Sequence, residues 1–280
     1  MDSVAAIVLA AGMGTRMRSR LSKVLHPLGG RPMLEHVVLS LQQAGVSRVV
    51  VVVGHQADEV MEEIEADVEY VVQEEQLGTA HAVMQAREKL AGHPGPILVT
   101  CGDTPLYKPQ TFRRILEAHR SEAAEATLVA AILDDPSGYG RVIRDPASGE
   151  FVRIVEERDI QTAEEASVRE VNAGTYCFEG PALFGALDEV GNDNAQREYY
   201  LPDALAVVRR RGGKVAVYRL DDPLEAMGVN DRRQLAAAEH ALRMRVLEEL
   251  MQRGVTIVDP RTTYIHSTVR VGQDTTIYPF

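Results

Sequence analysis

Val4-Ala5-Ala6-Ile7-Val8-Leu9-Ala10-Ala11-Gly12-Met13-Gly14-Thr15-Arg16-Met17, with Lys23 a few residues on, is the stretch from which the fold is read. Residues 4–11 are an apolar run of strand length, the kind that lies buried on both faces of a parallel sheet. The run leads straight into a loop where Gly12 and Gly14 put no Cβ between the backbone and a ligand. Successive amides of such a loop can point at phosphate oxygens. Arg16 offers a planar fork suited to a polyphosphate, and Lys23 a mobile point charge. A plain glycine turn flanked by two solvated basic residues is the alternative. Two common phosphate loops do not fit. Met17 stands where a P-loop begins its Gly-Lys-Ser/Thr, and where a dinucleotide fingerprint needs Gly or Ala.

Further along, residues 49–53, 68–72 and 97–101 are short runs rich in Val and Ile. Helical stretches are read between them at 33–44, 57–66 and 79–90. The first has Pro32 before it and Gly45 after it, as helix ends prefer. Strand–helix–strand alternation predicts an α/β fold with an open, mostly parallel, doubly wound sheet. In such a sheet ligands bind at the carboxyl ends of the strands. The residues after Ala11 and after Cys101 are therefore site candidates on topology alone.

The second half reads as strands at 126–133, 140–143, 151–155 and 171–178, the middle two forming a hairpin around 145–149. A helix at 201–211 and a strand at 215–220 follow. Residues 231–253 read as one long helix, with Asp231 as N-cap, Gly254 as its stop, and Leu235, Leu242, Val246 and Leu250 near one face. Beyond Gly254, Ile265, Val271 and Ile277 recur every six residues, a period that fits either a β-helix coil or a simple strand pair.

The 280 residues carry a formal net charge of −11, which argues against non-specific nucleic-acid binding. No apolar run approaches the roughly 20 residues of a membrane span, and the first run lacks the flanks of a signal peptide. Cys101 and Cys177 are isolated, without disulfide or zinc spacing. The expectation is a cytoplasmic protein that binds neither nucleic acid nor membrane.

Residues Leu9 to Met17 match in full the pattern L-A-A-G-x-G-T-R-M of the nucleotidyltransferases that activate sugar 1-phosphates. Lys23 follows as that family's lysine does, with Ser22 where proline is frequent. Seven further segments resemble one branch of it, the N-acetylglucosamine-1-phosphate uridyltransferases. They are 73–82 (QEEQLGTAHA), 102–106 (GDTPL), 138–141 (GYGR), 155–156 (VE), 171–174 (VNAG), 194–200 (NAQREYY) and 228–231 (GVND), in the family's order.

The resemblance implies a Rossmann-like nucleotidyltransferase fold and the Mg²⁺-assisted reaction of UTP with N-acetylglucosamine 1-phosphate. The products are UDP-N-acetylglucosamine, a cell-wall precursor, and pyrophosphate. Carried over residue by residue, it makes Arg16 and Lys23 catalytic. It assigns nucleotide contacts to Leu9, Ala10, Ala11, Gly12, Gly14, Thr15, Gln73, Gln76, Gly78 and Thr79. Gly140, Glu156 and Asn172 would hold the sugar, and Asp103 and Asn230 the metal. Many relatives carry threonine where this chain has Pro202.

Each assignment stands beside a chemical reading. Gln73 and Gln76 have the donor and acceptor that a uracil edge requires. Asp103 is either a hard-oxygen ligand for Mg²⁺ or the N-cap of a helix starting at Thr104-Pro105. Thr79 is equally an N-cap candidate. His55 and His81 have no evident partner in the sequence, and His36 reads as a packing residue.

The expected organisation is a transferase domain at 1–230, a linking helix at 231–254, and the truncated start of a left-handed β-helix at 255–280. In longer relatives that β-helix carries an acetyltransferase and the trimer contacts. Uridylyl transfer without acetyl transfer is therefore expected, in a monomer or weak oligomer, with a trimer where the β-helix is complete. The competing readings are a sister enzyme using another sugar phosphate or dTTP, and a non-catalytic nucleotide-binding subunit.

Overall fold

The computed structural model describes residues 3–279. Its first strand, β1 (Ala5–Ala10), is followed by the two-residue hairpin strands β2 (Pro27–Leu28) and β3 (Arg31–Pro32) and by α1 (Met33–Gln43). Alternation continues through β4 (Arg48–Val53), α2 (Ala57–Glu63), β5 (Glu69–Val72), α3 (Thr79–Gln85), α4 (Arg87–Leu90) and β6 (Pro96–Cys101). The second half adds α5 (Pro109–Ser121), β7 (Ala126–Ile132), the hairpin β8 (Arg141–Arg144) and β9 (Phe151–Val155), and α6 (Ala163–Ser167). Then come β10 (Glu170–Glu179), α7 (Gly180–Leu187), α8 (Leu201–Arg210), β11 (Val215–Arg219) and α9 (Arg232–Gln252).

The main sheet runs β11-β7-β10-β6-β1-β4-β5, with β8 and β9 attached beside β10. β1 pairs in parallel with β4 and β6, β4 with β5, and β11 with β7. Only β10 interrupts the main path, lying antiparallel between β6 and β7. The sheet is thus open and mostly parallel, with helices on both faces. Strand alternation sends Ile7, Val50, Val52 and Val99 to one face, where α3, α7 and α8 cover them. It sends Ala6, Val8, Val51 and Leu98 to the other, beneath α1 and α5. Burial of both faces is why these strands read as continuous apolar runs.

Several boundaries depart from the sequence reading. The helix at 79–90 breaks at Ala86 into α3 and α4. The helix starting at 57 stops at Glu63, because Ile64 is already extended. Helices α5 and α7 were not expected, although each has proline in its first turn. The hairpin turn at 145–149 is present, closed by the Asp145 N–H donating to the Glu150 carbonyl at 2.8 Å.

Asp231 caps α9 as expected, its carboxylate accepting from the Arg233 and Gln234 amides, both at 2.8 Å. Gly254 ends that helix at φ +90, a conformation costly to any other residue. The expected apolar stripe divides between two clusters. Leu235 and Leu242 pack with Leu28, Met33 and Leu106, whereas Val246 and Leu250 pack with Val255 and Ile257. Ile265, Val271 and Ile277 join the second cluster. There β12 (Thr256–Ile257) and β13 (Thr276–Ile277) form a short parallel pair. Phe280, assigned to the same segment, lies outside the described residues. Among the described residues no helix is long and apolar enough to cross a membrane.

Candidate active site

The carboxyl ends of β1 and β6 open into a cleft of about 440 Å³. Every nucleotide contact expected from the sequence lines it, together with Arg16, Lys23, Asp103 and Asn230. The glycine loop owes its shape to sterics. Gly14 lies at φ +60, and a Cβ there would be 2.7 Å from that of Lys23. At Gly12 a Cβ would meet nothing within 4 Å, so the space beside that backbone is free for a ligand. Met17, almost wholly buried, anchors the loop, while Arg16 stays exposed. Arg232 ties the loop to α9, its Nε donating to the Met17 carbonyl at 3.2 Å and its Nη1 to His26 Nδ1 at 3.3 Å.

Lys23, Asp103 and Asn230 come from three distant segments and meet in the cleft. The Lys23 ammonium donates to the Asp103 carboxylate and to Asn230 Oδ1, the latter at 3.2 Å. Two neighbouring contacts fix this geometry. The Val229 N–H donates to the Asp103 carbonyl at 2.8 Å, and the Asn230 N–H to Gln234 Oε1 at 2.8 Å. Asp103 caps no helix, since α5 begins only at Pro109. The two oxygens converge on a point held by a cationic group, which is a donor set suited to a hard cation. Among the described residues no three His, Cys, Asp or Glu side chains gather as a metal cluster. A cation here would complete its shell from phosphate oxygens and water, as Mg²⁺ commonly does.

At the opposite wall Gln73 is almost wholly buried, and its amide nitrogen donates to the Gly78 carbonyl at 3.2 Å and lies 3.0 Å from His81 Nδ1. Gln76 is exposed and donates to the Gln73 carbonyl at 3.3 Å. Gly78 sits at φ +113, where a Cβ would be 2.5 Å from the Tyr199 carbonyl oxygen. Thr79 caps a different helix from the one it starts. Its hydroxyl accepts from the Leu201 amide at 2.9 Å, at the N-terminus of α8.

A second cavity, of about 240 Å³, adjoins the first and shares Leu9, Thr79, Cys101 and Glu198 with it. Glu156 and Asn172 line it, with Tyr176, Gln196, Tyr200 and Pro202. Gly140 does not line it but lies behind that wall. Its carbonyl accepts from the Asn172 amide at 2.8 Å, and a Cβ on it would be 2.9 Å from Glu156 Oε1. Burial, reinforced by the Asp203 charge, pushes the Glu156 carboxyl up to about 7. Beneath, the buried Arg141 is balanced by Glu157 at 2.7 Å. Burial also pushes the Cys101 thiol up to about 12, so it is no nucleophile.

The 194–200 segment, a motif in the sequence, is a loop that shapes both cavities. Asn194 Oδ1 accepts from the Gln196 and Glu198 amides at 3.2 and 3.1 Å, which folds the loop so that Gln196 and Glu198 reach the cavities. Asp203 and Arg232 give no separate signal in the sequence, and His81 shows no partner there, because each acts through a residue distant along the chain or hidden in the fold.

The sequence pattern of the MobA-like NTP transferase domain matches residues 6–256. The bifunctional protein GlmU of Pelotomaculum thermopropionicum is 52% identical over 277 residues, covering 99% of this chain and 60% of that protein. The GlmU protein of Shouchella clausii is 49% identical over 274 residues, covering 98% and 60%. The chain thus spans about three fifths of the length of these curated relatives. Among solved structures, a putative glucose-1-phosphate thymidylyltransferase from Bacillus anthracis, in complex with a sucrose, superposes with a TM-score of 0.68 at 21% identity. That match covers 86% of this chain and 95% of the other. A UDP-glucose pyrophosphorylase complexed with UDP-glucose gives 0.71 at 17% identity, covering 88% and 100%. At such identities these two matches speak for the fold alone.

Proposed function

Since the chain belongs to the MobA-like NTP transferase family, we propose that it transfers a uridylyl group from UTP to N-acetylglucosamine 1-phosphate. The observation that carries this reading is the pair of adjoining cavities. A glycine loop suited to phosphates lines one, sugar-sized polar groups line the other, and Lys23, Asp103 and Asn230 sit in the first. The similarity to the two GlmU proteins favours this nucleotide and this sugar within the wider family.

In the proposed reaction a phosphate oxygen of the sugar phosphate attacks the α-phosphorus of UTP. The bond to the β-phosphate oxygen breaks, and pyrophosphate leaves. The attacking oxygen is already anionic, so no side chain need act as a base. The difficulty is to bring two polyanions together. Loop amides after Ala11, the exposed Arg16 fork and the Lys23 ammonium would hold the triphosphate and balance charge on the transferring group. Asp103 and Asn230 would hold Mg²⁺, which supplies charge neutralisation and a template for the phosphates when bound.

Glu156 and Asn172 would orient the sugar, since hydroxyl groups in a closed pocket need polar partners. Within the same reading, residues 1–230 are the transferase body, 231–254 a linking helix and 255–280 the beginning of a β-helix. The test is pyrophosphate release from a panel of nucleotides and sugar phosphates. UTP with N-acetylglucosamine 1-phosphate is the expected best pair. Release only with another pair makes the chain a sister enzyme, and no release with any pair removes catalysis altogether.

A further inference from the structure

His81 lies between two glutamine amides, with Gln73 Nε2 at 3.0 Å from its Nδ1 and Gln85 Nε2 at 3.2 Å from its Nε2. A neutral imidazole has one acceptor nitrogen, so only one of those amides can donate to it. Burial decides which. Gln73 is 3% exposed, and an N–H left without a partner there is costly. Gln85 is half-buried, and its amide already donates to the His81 carbonyl at 3.0 Å. The ring therefore accepts from Gln73 at Nδ1, and the Gln85 amide is left with its bond to the His81 carbonyl.

The consequence for Gln73 is a fixed orientation. Its Nε2 must face the Gly78 carbonyl, because a carbonyl oxygen can only accept. With one hydrogen given to Gly78 and the other to His81, the amide has no donor left. Its Oε1 remains, on a residue that lines the nucleotide cleft. An acceptor alone suits a base that presents an N–H, as uracil and thymine do at N3. Cytosine presents a lone pair at N3 and would meet Oε1 with repulsion.

We propose that His81 is a specificity-setting positioning residue, whose Nδ1 holds the Gln73 amide so that only its carbonyl oxygen faces the base. The proposal rests on the reading that this cleft takes a pyrimidine nucleotide. His81 touches neither substrate nor reacting atoms in it. Its effect is exerted on the choice between bases, which a residue needed only for packing would not alter. It also separates two properties: thymine and uracil share the N3–H, so His81 discriminates against cytosine and not between those two.

The experiment compares the parent, His81→Leu and His81→Asn. The asparagine oxygen lies near the position of Nδ1 and keeps an acceptor there. Two readouts are taken, the kcat/KM ratio for UTP over CTP in pyrophosphate release, and the binding ratio for UMP over CMP by calorimetry. The parent is expected to favour the uracil nucleotide by about 10²-fold. His81→Leu is expected to lose about tenfold or more of that ratio, and His81→Asn to restore most of it. Should the leucine variant not fold, His81→Phe, a ring with no acceptor nitrogen, carries the same test. An unchanged ratio in a folded variant lacking the acceptor overturns the proposal. A parent that releases pyrophosphate from no nucleotide defeats the uridylyl reading, while the binding ratio still decides the role of His81.

Discussion

Lys23 donates its ammonium to the carboxylate of Asp103, 80 positions further along the chain. The pair is only slightly exposed, with side-chain accessibilities of 13% and 17%. Each charge is therefore balanced by the other until something anionic or cationic enters the cleft. In the proposed reaction, a triphosphate arriving with its cation would exchange one pair for two: phosphate with Lys23, and cation with Asp103.

Arg16→Ala and Lys23→Ala should lower kcat more than they raise KM, because in the proposed reaction both charges would matter most when negative charge builds on the transferring group. A lost donor of this kind costs about 10²–10³ in rate. Steady-state kinetics with near-parental turnover in both variants would remove the phosphate-loop assignment.

Asp103→Asn should keep the fold and raise the Mg²⁺ concentration needed for half-maximal activity. The amide retains an oxygen but not the charge that attracts a hard cation. Chelation should abolish turnover in the parent. Identical half-saturation in parent and variant would mean that the cation is bound elsewhere.

Glu156 predicts a pH dependence of stability. Its pKa is raised from 4.5 to about 7 in the fold, chiefly by burial. The folded state therefore binds this proton more tightly than the unfolded state does. The resulting stability is fully present below about pH 4.5 and is lost as pH rises through 7. Glu156→Gln cannot ionise and should lose none of it. Urea denaturation at pH 5 and pH 8 should show the variant gaining on the parent at the higher pH. Equal differences at both pH values would show that Glu156 titrates as an ordinary surface carboxylate.

Gly78→Ala should destabilise the fold by roughly 2 kcal/mol or more, since it combines a disfavoured φ with a backbone clash. The clash is with Tyr199, whose amide and carbonyl pair with Leu77 and Ala80 at 2.8 Å. Those bonds hold the 194–200 loop against the wall of the cleft, so activity should fall with stability. A parental urea midpoint would show that the loop can shift to accept a methyl group.

What the sequence revealed was whatever is encoded locally. The strand ending at Ala10, the glycine loop after it and the Asp231 cap each depend on residues within a few positions of one another. The site residues could be named from a resemblance, but their meeting could not be read from spacing, because Lys23 and Asn230 are 207 positions apart. The cap reading of Asp103 could not be dismissed from the sequence, because Thr104-Pro105 looks locally like a helix start and the helix begins only at Pro109. The antiparallel course of β10 was hidden because its apolar alternation is the same in either direction. The resemblance names Gly140 among the sugar-holding residues, but the sequence does not show that its lack of a side chain makes room for Glu156. His81 had no visible partner, since the Gln73 amide reaches it only when the turn at Gly78 has formed.

The placement of β10 also bears on how the protein is made. Strands β1, β4, β5 and β6 can assemble as soon as Cys101 has emerged, but one edge of β6 is completed only by β10, which begins at Glu170. About 70 residues separate the two, or roughly 4–14 s at ordinary rates of synthesis. For that interval the growing chain carries an apolar strand with open hydrogen-bonding groups, the form of surface that pairs with other chains. Expression yield should therefore respond to translation speed between Cys101 and Glu170, and to chaperones that shield an open sheet edge.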